Sequence, residues 1–99
     1  MPGVVRVGDS LSTGHICTAT STLGGAAQST VTANGILAAV VGAPTVAHPF
    51  PPLPPCAPHV ANLNAGSPNV FINGIAVGRI GDSADAGAMI SGSGTVIIN

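Results

Sequence analysis

The sequence contains no lysine, glutamate, tryptophan or tyrosine, and only 5% of its 99 residues are charged. An ordinary soluble domain has roughly 25% charged residues. Two arginines cannot supply the basic face that a nucleic-acid binder requires, so we expect no nucleic-acid partner. Disorder is excluded because 45% of the residues are hydrophobic and the net charge is −1. A surface this poor in charge would be poorly soluble alone, which indicates that a partner covers much of it.

No segment of the sequence is long enough for a membrane-spanning helix. The longest apolar stretch, residues 35–41, is far shorter than the ~20 residues that such a helix needs. The N-terminus, Met1-Pro2-Gly3-Val4, has no basic start followed by a long apolar region, so we expect no secretory signal and synthesis in the cytoplasm. Cys17 and Cys56 would be kept reduced there, which favours metal binding over a disulfide.

One motif that contains both an arginine and an aspartate occurs twice. The copies are Arg6-Val7-Gly8-Asp9-Ser10 and Arg79-Ile80-Gly81-Asp82-Ser83. They hold four of the five charged residues of the chain, which indicates a repeated structural unit. We expect arginine and aspartate to pair within each copy, because the glycine lets the chain turn between them. An arginine that contacts a partner is the alternative.

A second pattern, polar-Val-x-apolar-Asn, occurs three times. Its copies are residues 30–34, 69–73 and 95–99. The first two continue into Asn34-Gly35 and Asn73-Gly74. Asn-Gly between apolar runs is the strongest short-range signal for a tight hairpin turn, since both residues accept a positive φ.

The alternation of apolar and polar residues and the many β-branched residues predict an all-β fold. The predicted strands are residues 4–7, 30–33, 35–41, 69–72 and 95–98. Residues 35–41 could be mistaken for a helix, but the segment is short and lacks polar residues for an exposed face. The repeated unit consists of a strand, an Asn-Gly turn, a second strand and Gly-Asp. Residues 3–9 supply the second half of such a unit, and Asn99 lies where the next turn would begin. Three strand pairs therefore result, one of them split between the termini, and this pseudo-threefold suits a symmetric trimeric partner.

The three histidines of the chain, His15, His48 and His59, lie in predicted loops that could converge. Cys56-x-x-His59 has the short ligand spacing of zinc sites, and three histidines with one thiolate complete a closed tetrahedral shell. Prolines between His48 and Cys56 stiffen the loop and lower the entropy lost on binding. Cys17, two residues after His15, is the alternative thiolate, and Cys56 is preferred. Three unrelated loop histidines are the other interpretation.

The predicted metal site has no catalytic partner. A catalytic zinc keeps an open position and usually a nearby general base. The chain has no glutamate, and Asp85 is the only carboxylate outside the repeated motif. We therefore expect a structural zinc, no enzymatic activity and no small-molecule substrate. Because Asp85 has no counterpart in the other copies, we expect it to matter less for folding than Arg79.

The repeats resemble the PAAR family, small proteins that sharpen the spike of type VI secretion systems, contractile phage tails and related injection machines. The resemblance rests on residues 66–82, which are close to the family's central pattern, and on Arg6-Val7-Gly8-Asp9 with His15 downstream. Two features depart from it. The tetrapeptide Pro-Ala-Ala-Arg is absent, and the middle copy, Leu37-Ala38-Ala39-Val40, has lost both arginine and aspartate.

The resemblance implies that residues 1–99 form one PAAR-like domain. This would be a small conical pseudo-threefold array of short β-hairpins with a zinc site near the apex, whose ligands are His15, His48, Cys56 and His59. It implies a non-enzymatic tip that caps a trimeric β-helical spike, one tip per trimer, and touches the target membrane transiently. Such a tip is made in the bacterial cytoplasm and assembled on a phage tail or secretion apparatus. A zinc-stabilised adaptor that recruits effector cargo, or a small zinc hydrolase, are the alternatives.

Overall fold

The computed structural model describes residues 2–15, 17–50 and 57–98, and over these residues the protein contains short β-strands and no helix. Among them there is accordingly no helix that could cross a membrane. The strands form two-stranded antiparallel sheets, which pair β1 with β2, β3 with β4, β5 with β6, β7 with β8 and β9 with β10. Their bounds are β1 Ser10–Ser12, β2 Thr20–Thr22, β3 Thr32–Ala33, β4 Ile36–Leu37, β5 His48–Phe50, β6 Ala57–His59, β7 Phe71–Ile72, β8 Ile75–Ala76, β9 Ser83–Ala84 and β10 Gly87–Ala88.

Two hairpins turn at the Asn-Gly pairs, as predicted. Asn34 and Gly35 have φ angles of 57° and 77°, and Asn73 and Gly74 have angles of 52° and 79°. Positive values at both turn residues match the type I′ turn, which Asn-Gly favours. The hairpins share one register, since Thr32 faces Leu37 in the first and Phe71 faces Ala76 in the second.

Three inner segments of the chain meet in a closed ring of hydrogen bonds. The backbone N–H of Val5 donates to the carbonyl of Gly78 at 3.0 Å, Gly78 donates to Ala39 at 2.8 Å, and Ala39 donates to Val5 at 2.8 Å. Val5 and Ala39 are fully buried. A Cβ at Gly78 would lie 2.4 Å from Cδ2 of Leu63, which explains why the third member of the ring is glycine. The ring confirms the pseudo-threefold predicted from the repeats.

The third hairpin is divided between the two termini, also as predicted. Val4 donates from its backbone to the carbonyl of Val96 at 2.9 Å, as Ala38 does to Val31 at 3.0 Å in the first hairpin. The predicted strands at residues 4–7, 35–41 and 95–98 are shorter than expected or reduced to isolated bridges. The backbone N–H groups of Val4, Val5 and Val7 donate to three different segments, at Val96, Gly78 and Leu37. Because the partner segment changes along the chain, no two-stranded ladder extends over many residues.

The arginine–aspartate motif forms the same turn in both copies. Asp9 Oδ2 accepts hydrogen bonds from the backbone N–H of Arg6 at 2.7 Å and from its Nε at 3.0 Å. Asp82 accepts the equivalent bonds from Arg79, again at 2.7 and 3.0 Å. The expected pairing of arginine with aspartate is therefore confirmed, and each carboxylate also closes the turn by binding the backbone.

The middle copy keeps this turn without either charged residue. Gly42 has a φ of 96°, like the motif glycines, and the N–H of Ala43 donates to the carbonyl of Val40 at 3.0 Å. The N–H of Val40, which would face the aspartate, donates instead to the carbonyl of Ala26 at 3.0 Å. A backbone carbonyl thus replaces the missing carboxylate as acceptor.

The buried side chains form two clusters along a molecule that measures 41 × 23 × 22 Å. The larger, here called the core cluster, comprises Val5, Leu11, Leu23, Ala39, Ala43, Leu63, Ala84 and Met89. Three of its members are equivalent, because Leu23, Leu63 and Met89 each accept a hydrogen bond from the glycine of one motif copy. The smaller cluster comprises Val4, Ala33, Ala38, Val40 and Val77, at the hairpins.

Candidate metal centre

The three histidines meet near one end of the molecule. His15 follows β1, His48 begins β5 and His59 ends β6. Strands β5 and β6 are antiparallel with His48 directly opposite His59, so both imidazoles project from the same face. Cross-strand pairing thus places two histidines, and the loop after β1 supplies the third.

The histidine rings present their Nε2 atoms to one another. Nε2 of His48 lies 3.3 Å from Nε2 of His15 and 2.9 Å from Nε2 of His59. The rings of His15 and His48 are stacked at an interplanar angle of 8°, whereas the His59 ring stands at 79° to His48. Hence three nitrogens are directed from different sides toward one point.

Asp85 joins this group, although its sequence neighbourhood gives no metal motif. Its Oδ2 lies 2.8 Å from Nε2 of His15, 2.8 Å from that of His48 and 3.3 Å from that of His59. The Asp85 side chain is only 6% exposed. Burial raises the pKa of the Asp85 carboxyl, but its hydrogen bonds with the histidines, that with His48 foremost, lower it, and the net direction is downward. The carboxylate form is therefore favoured.

The backbone around Asp85 fixes where its carboxylate lies. Asp85 is the first residue of the turn between β9 and β10, and its φ of 54° is close to those of Asn34 and Asn73. Its N–H donates to the carbonyl of Asn62 at 3.1 Å, and Nδ2 of Asn64 donates to its carbonyl at 2.9 Å. Asp85 thus occupies the turn position that asparagine occupies in two other hairpins.

The donor set fits a metal ion. Nδ1 of His48 lies 2.9 Å from the carbonyl oxygen of Val46, and because a carbonyl can only accept, Nδ1 carries the proton. Nε2 of His48 then offers a lone pair, and a hydrogen bond that fixes the tautomer in this way is typical of metal-binding histidines. A zinc ion with bonds of about 2.0–2.1 Å has tetrahedron edges of about 3.3 Å. The separations of Asp85 Oδ2 from the histidine nitrogens, 2.8–3.3 Å, are close to that value.

Of the predicted ligands, the structure brings together His15, His48 and His59. The fourth, Cys56, lies outside the described residues. Cys17, the alternative thiolate, is disulfide-bonded, so its sulfur is not available as a thiolate. The expectation that Cys17 is reduced is corrected accordingly, since it rested on the presumed compartment and not on geometry.

Asp85 is not among the ligands that the sequence predicts. The prediction that it matters less for folding than Arg79 rested on its lack of a counterpart, and its contacts with three histidines remove that basis. One signal was present in the sequence. Asp85 is the only carboxylate without an arginine three residues before it, so a buried position would require another cationic or donor partner.

Together, the closed ring of inner segments, the short hairpins and the histidine–aspartate group define a small pseudo-threefold β-protein with a candidate metal centre near one end. Comparison with protein families gives the particular class. The family model described as PAAR motif matches residues 7–92, most of the chain, and the protein therefore belongs to the PAAR family. This is a family of structural spike-tip proteins of secretion and phage systems. A comparison with curated proteins found no match.

Proposed function

We propose that this chain is the non-enzymatic tip that caps and sharpens a trimeric β-helical spike of a contractile injection machine, as a single domain with one tip per trimer. The observation that supports this most strongly is the hydrogen-bonded ring of Val5, Ala39 and Gly78, with its equivalent hairpins. Three identical subunits around an axis offer three equivalent surfaces, and one chain can match them only if it repeats itself. The tip is assembled on a phage tail or secretion apparatus. The end of the tip that points away from the spike contacts the target membrane transiently.

The surface that would face the shaft is the base, which we define as hairpins β3–β4 and β7–β8 with the paired termini. Each of the three parts exposes large apolar side chains. They are Val31 and Ile36 in the first, Phe71 and Ile75 in the second, and Val96 and Ile97 in the third. Contiguous apolar surface is uncommon on free soluble proteins and marks interaction sites. The open edges of a β-helical shaft also gain from a cap, because exposed strand edges invite uncontrolled pairing.

The metal group lies on the other side of the core cluster from the base. Ala84 of that cluster is the chain neighbour of Asp85, whereas Val5 and Ala39 adjoin the base through Val4 and Ala38. We propose that His15, His48 and His59 hold a structural zinc ion there. Such an ion supplies folding stability, about 10–16 kcal/mol in zinc-finger peptides. The ion would crosslink separate parts of the chain, namely the loop after β1, hairpin β5–β6 and, through Asp85, the turn between β9 and β10.

The fourth ligand in this proposal is Asp85, whose Oδ2 already lies among the three nitrogens. Cys56, which the sequence predicts, is the alternative, and it requires a chain whose two cysteines are reduced. Cobalt substitution separates the two, because a thiolate ligand gives Co²⁺ an intense near-ultraviolet charge-transfer band that nitrogen and oxygen ligands do not give. We expect a tetrahedral Co²⁺ spectrum without this band. A strong thiolate band that disappears in Cys56→Ser would assign the fourth position to Cys56.

Elemental analysis tests the metal itself. We expect one zinc per chain in purified protein, with His59→Ala losing the metal and unfolding at a lower temperature. Val60→Ala is the matched control, since Val60 is the next residue and is 55% exposed. Well-folded wild-type protein without stoichiometric metal would contradict the proposal.

A further inference from the structure

The base contains a cavity of about 290 Å³ that opens at its centre, here called the axial cup. Val4, Ala38 and Val77 line it, and each is the residue immediately before a member of the hydrogen-bonded ring. These three side chains are 2–3% exposed, so they form the floor of the cup. The pseudo-threefold axis of the ring therefore passes through this floor.

The wall of the cup repeats the same symmetry. Ala33, Ile72 and Ile98 line it, one from each part of the base. Each lies two residues after a valine whose carbonyl accepts a hydrogen bond from a floor residue, which makes the three positions equivalent. The cup is thus a threefold cavity and not an irregular cleft between hairpins.

The chemistry of the lining selects an apolar occupant. Among the described residues that line the cup, none is charged and only Thr32 has a polar side chain. A polar group that enters such a cavity loses its water without gaining hydrogen bonds, which is costly. A cavity of about 150 Å³ holds one benzene molecule. The axial cup, at about 290 Å³, has room for a few aliphatic side chains and little more.

We propose that the axial cup receives an apolar plug made of three symmetry-related aliphatic side chains, one from each subunit at the end of the shaft. This inference rests on the proposed function and names the chemistry of its partner. A trimer with an aliphatic residue next to its axis presents three such side chains as one projecting cluster. A second copy of this chain would not fill the cup, because two bases facing each other bring a concave surface against a concave surface.

Matched substitutions in one hairpin test the plug. Ile72 lines the axial cup, and its cross-strand partner Ile75 does not, although both belong to the base. We expect Ile72→Ala to weaken binding to the trimeric shaft protein by about tenfold or more, and Ile75→Ala to weaken it less. Ala33→Leu, which fills the cup from its wall, should weaken binding similarly. Binding is measured by titration calorimetry, and the melting temperature and metal content of each variant show that it is folded.

The outcomes separate this inference from the proposed function. Wild-type binding to the shaft with Ile72→Ala, Ala33→Leu and Ile75→Ala all unaffected would overturn the plug and leave the spike-tip function intact. Wild-type protein that does not bind the trimer would overturn both. A dimer of the free chain that Ala33→Leu dissociates would instead assign the cup to a second copy. A copurified apolar small molecule that Ala33→Leu excludes would also overturn the plug.

Discussion

Replacing Asp85 with asparagine isolates the contribution of one carboxylate to the metal centre. Asn34 and Asn73 hold the same turn position in two other hairpins, with φ angles of 57° and 52° against 54° for Asp85. Asparagine accepts this conformation readily, so Asp85→Asn preserves the turn between β9 and β10. The substitution therefore removes the negative charge with almost no change in shape or backbone strain.

The size of the effect follows from the surroundings of the carboxylate. The Asp85 side chain is 6% exposed and lies 2.8 Å from two histidine nitrogens. Removing one member of a buried ion pair costs about 3–5 kcal/mol of stabilisation, and we apply this value to the interaction of the carboxylate with the bound cation. Since each 1.4 kcal/mol changes an equilibrium constant about tenfold, the affinity for zinc should fall by roughly two to three and a half orders of magnitude.

Competition with a chromophoric chelator measures that affinity. The reciprocal substitution Asn73→Asp is the control, because it adds a carboxylate at the equivalent exposed turn, away from the histidines, and should leave zinc binding unchanged. An Asp85→Asn protein with wild-type affinity would refute the assignment of Asp85 as a ligand. A loss of affinity in Cys56→Ser that Cys17→Ser does not share would instead transfer the role to Cys56.

Three further substitutions test the fold by thermal or chemical unfolding. Leu63→Ala removes a buried side chain of the core cluster and should lower the free energy of unfolding by about 2–5 kcal/mol; a smaller loss would mean that this site is loosely packed. Gly78→Ala places a methyl group 2.4 Å from Cδ2 of Leu63 and should cost about 1–3 kcal/mol, whereas an unchanged stability would contradict the tight ring. Arg79→Ala should lower the unfolding midpoint because Asp82 loses its bonds to Nε and Nη2, at 3.0 and 2.8 Å; an equal midpoint would show that the backbone bond alone holds the turn.

The features that local rules govern could be predicted from the sequence. Asn34-Gly35 and Asn73-Gly74 specify their turns through positive φ, and the arginine–aspartate motif closes on itself within four residues. The pseudo-threefold followed because these local units recur at equivalent places. The hairpin that is divided between the termini could also be predicted, because the last repeat at the C-terminus continues into the first repeat at the N-terminus.

Features that depend on distant contacts could not be predicted. Hairpins β1–β2, β5–β6 and β9–β10 lack the Asn-Gly turn that marks the other two, so no such local signal indicates where they pair. Asp85 reaches His15 across 70 positions of sequence, so no spacing rule reveals the contact. The middle copy has lost both charged residues, and its sequence does not reveal that the carbonyl of Ala26 takes the place of the carboxylate.

Native mass spectrometry of the protein with the proposed trimeric shaft protein tests whether one chain binds three subunits, which is the arrangement that the pseudo-threefold would match. We expect a complex of one copy of this chain with three copies of the shaft protein, with zinc bound to this chain. Equal numbers of the two chains in the complex would contradict it, as would the absence of any complex with a folded trimer.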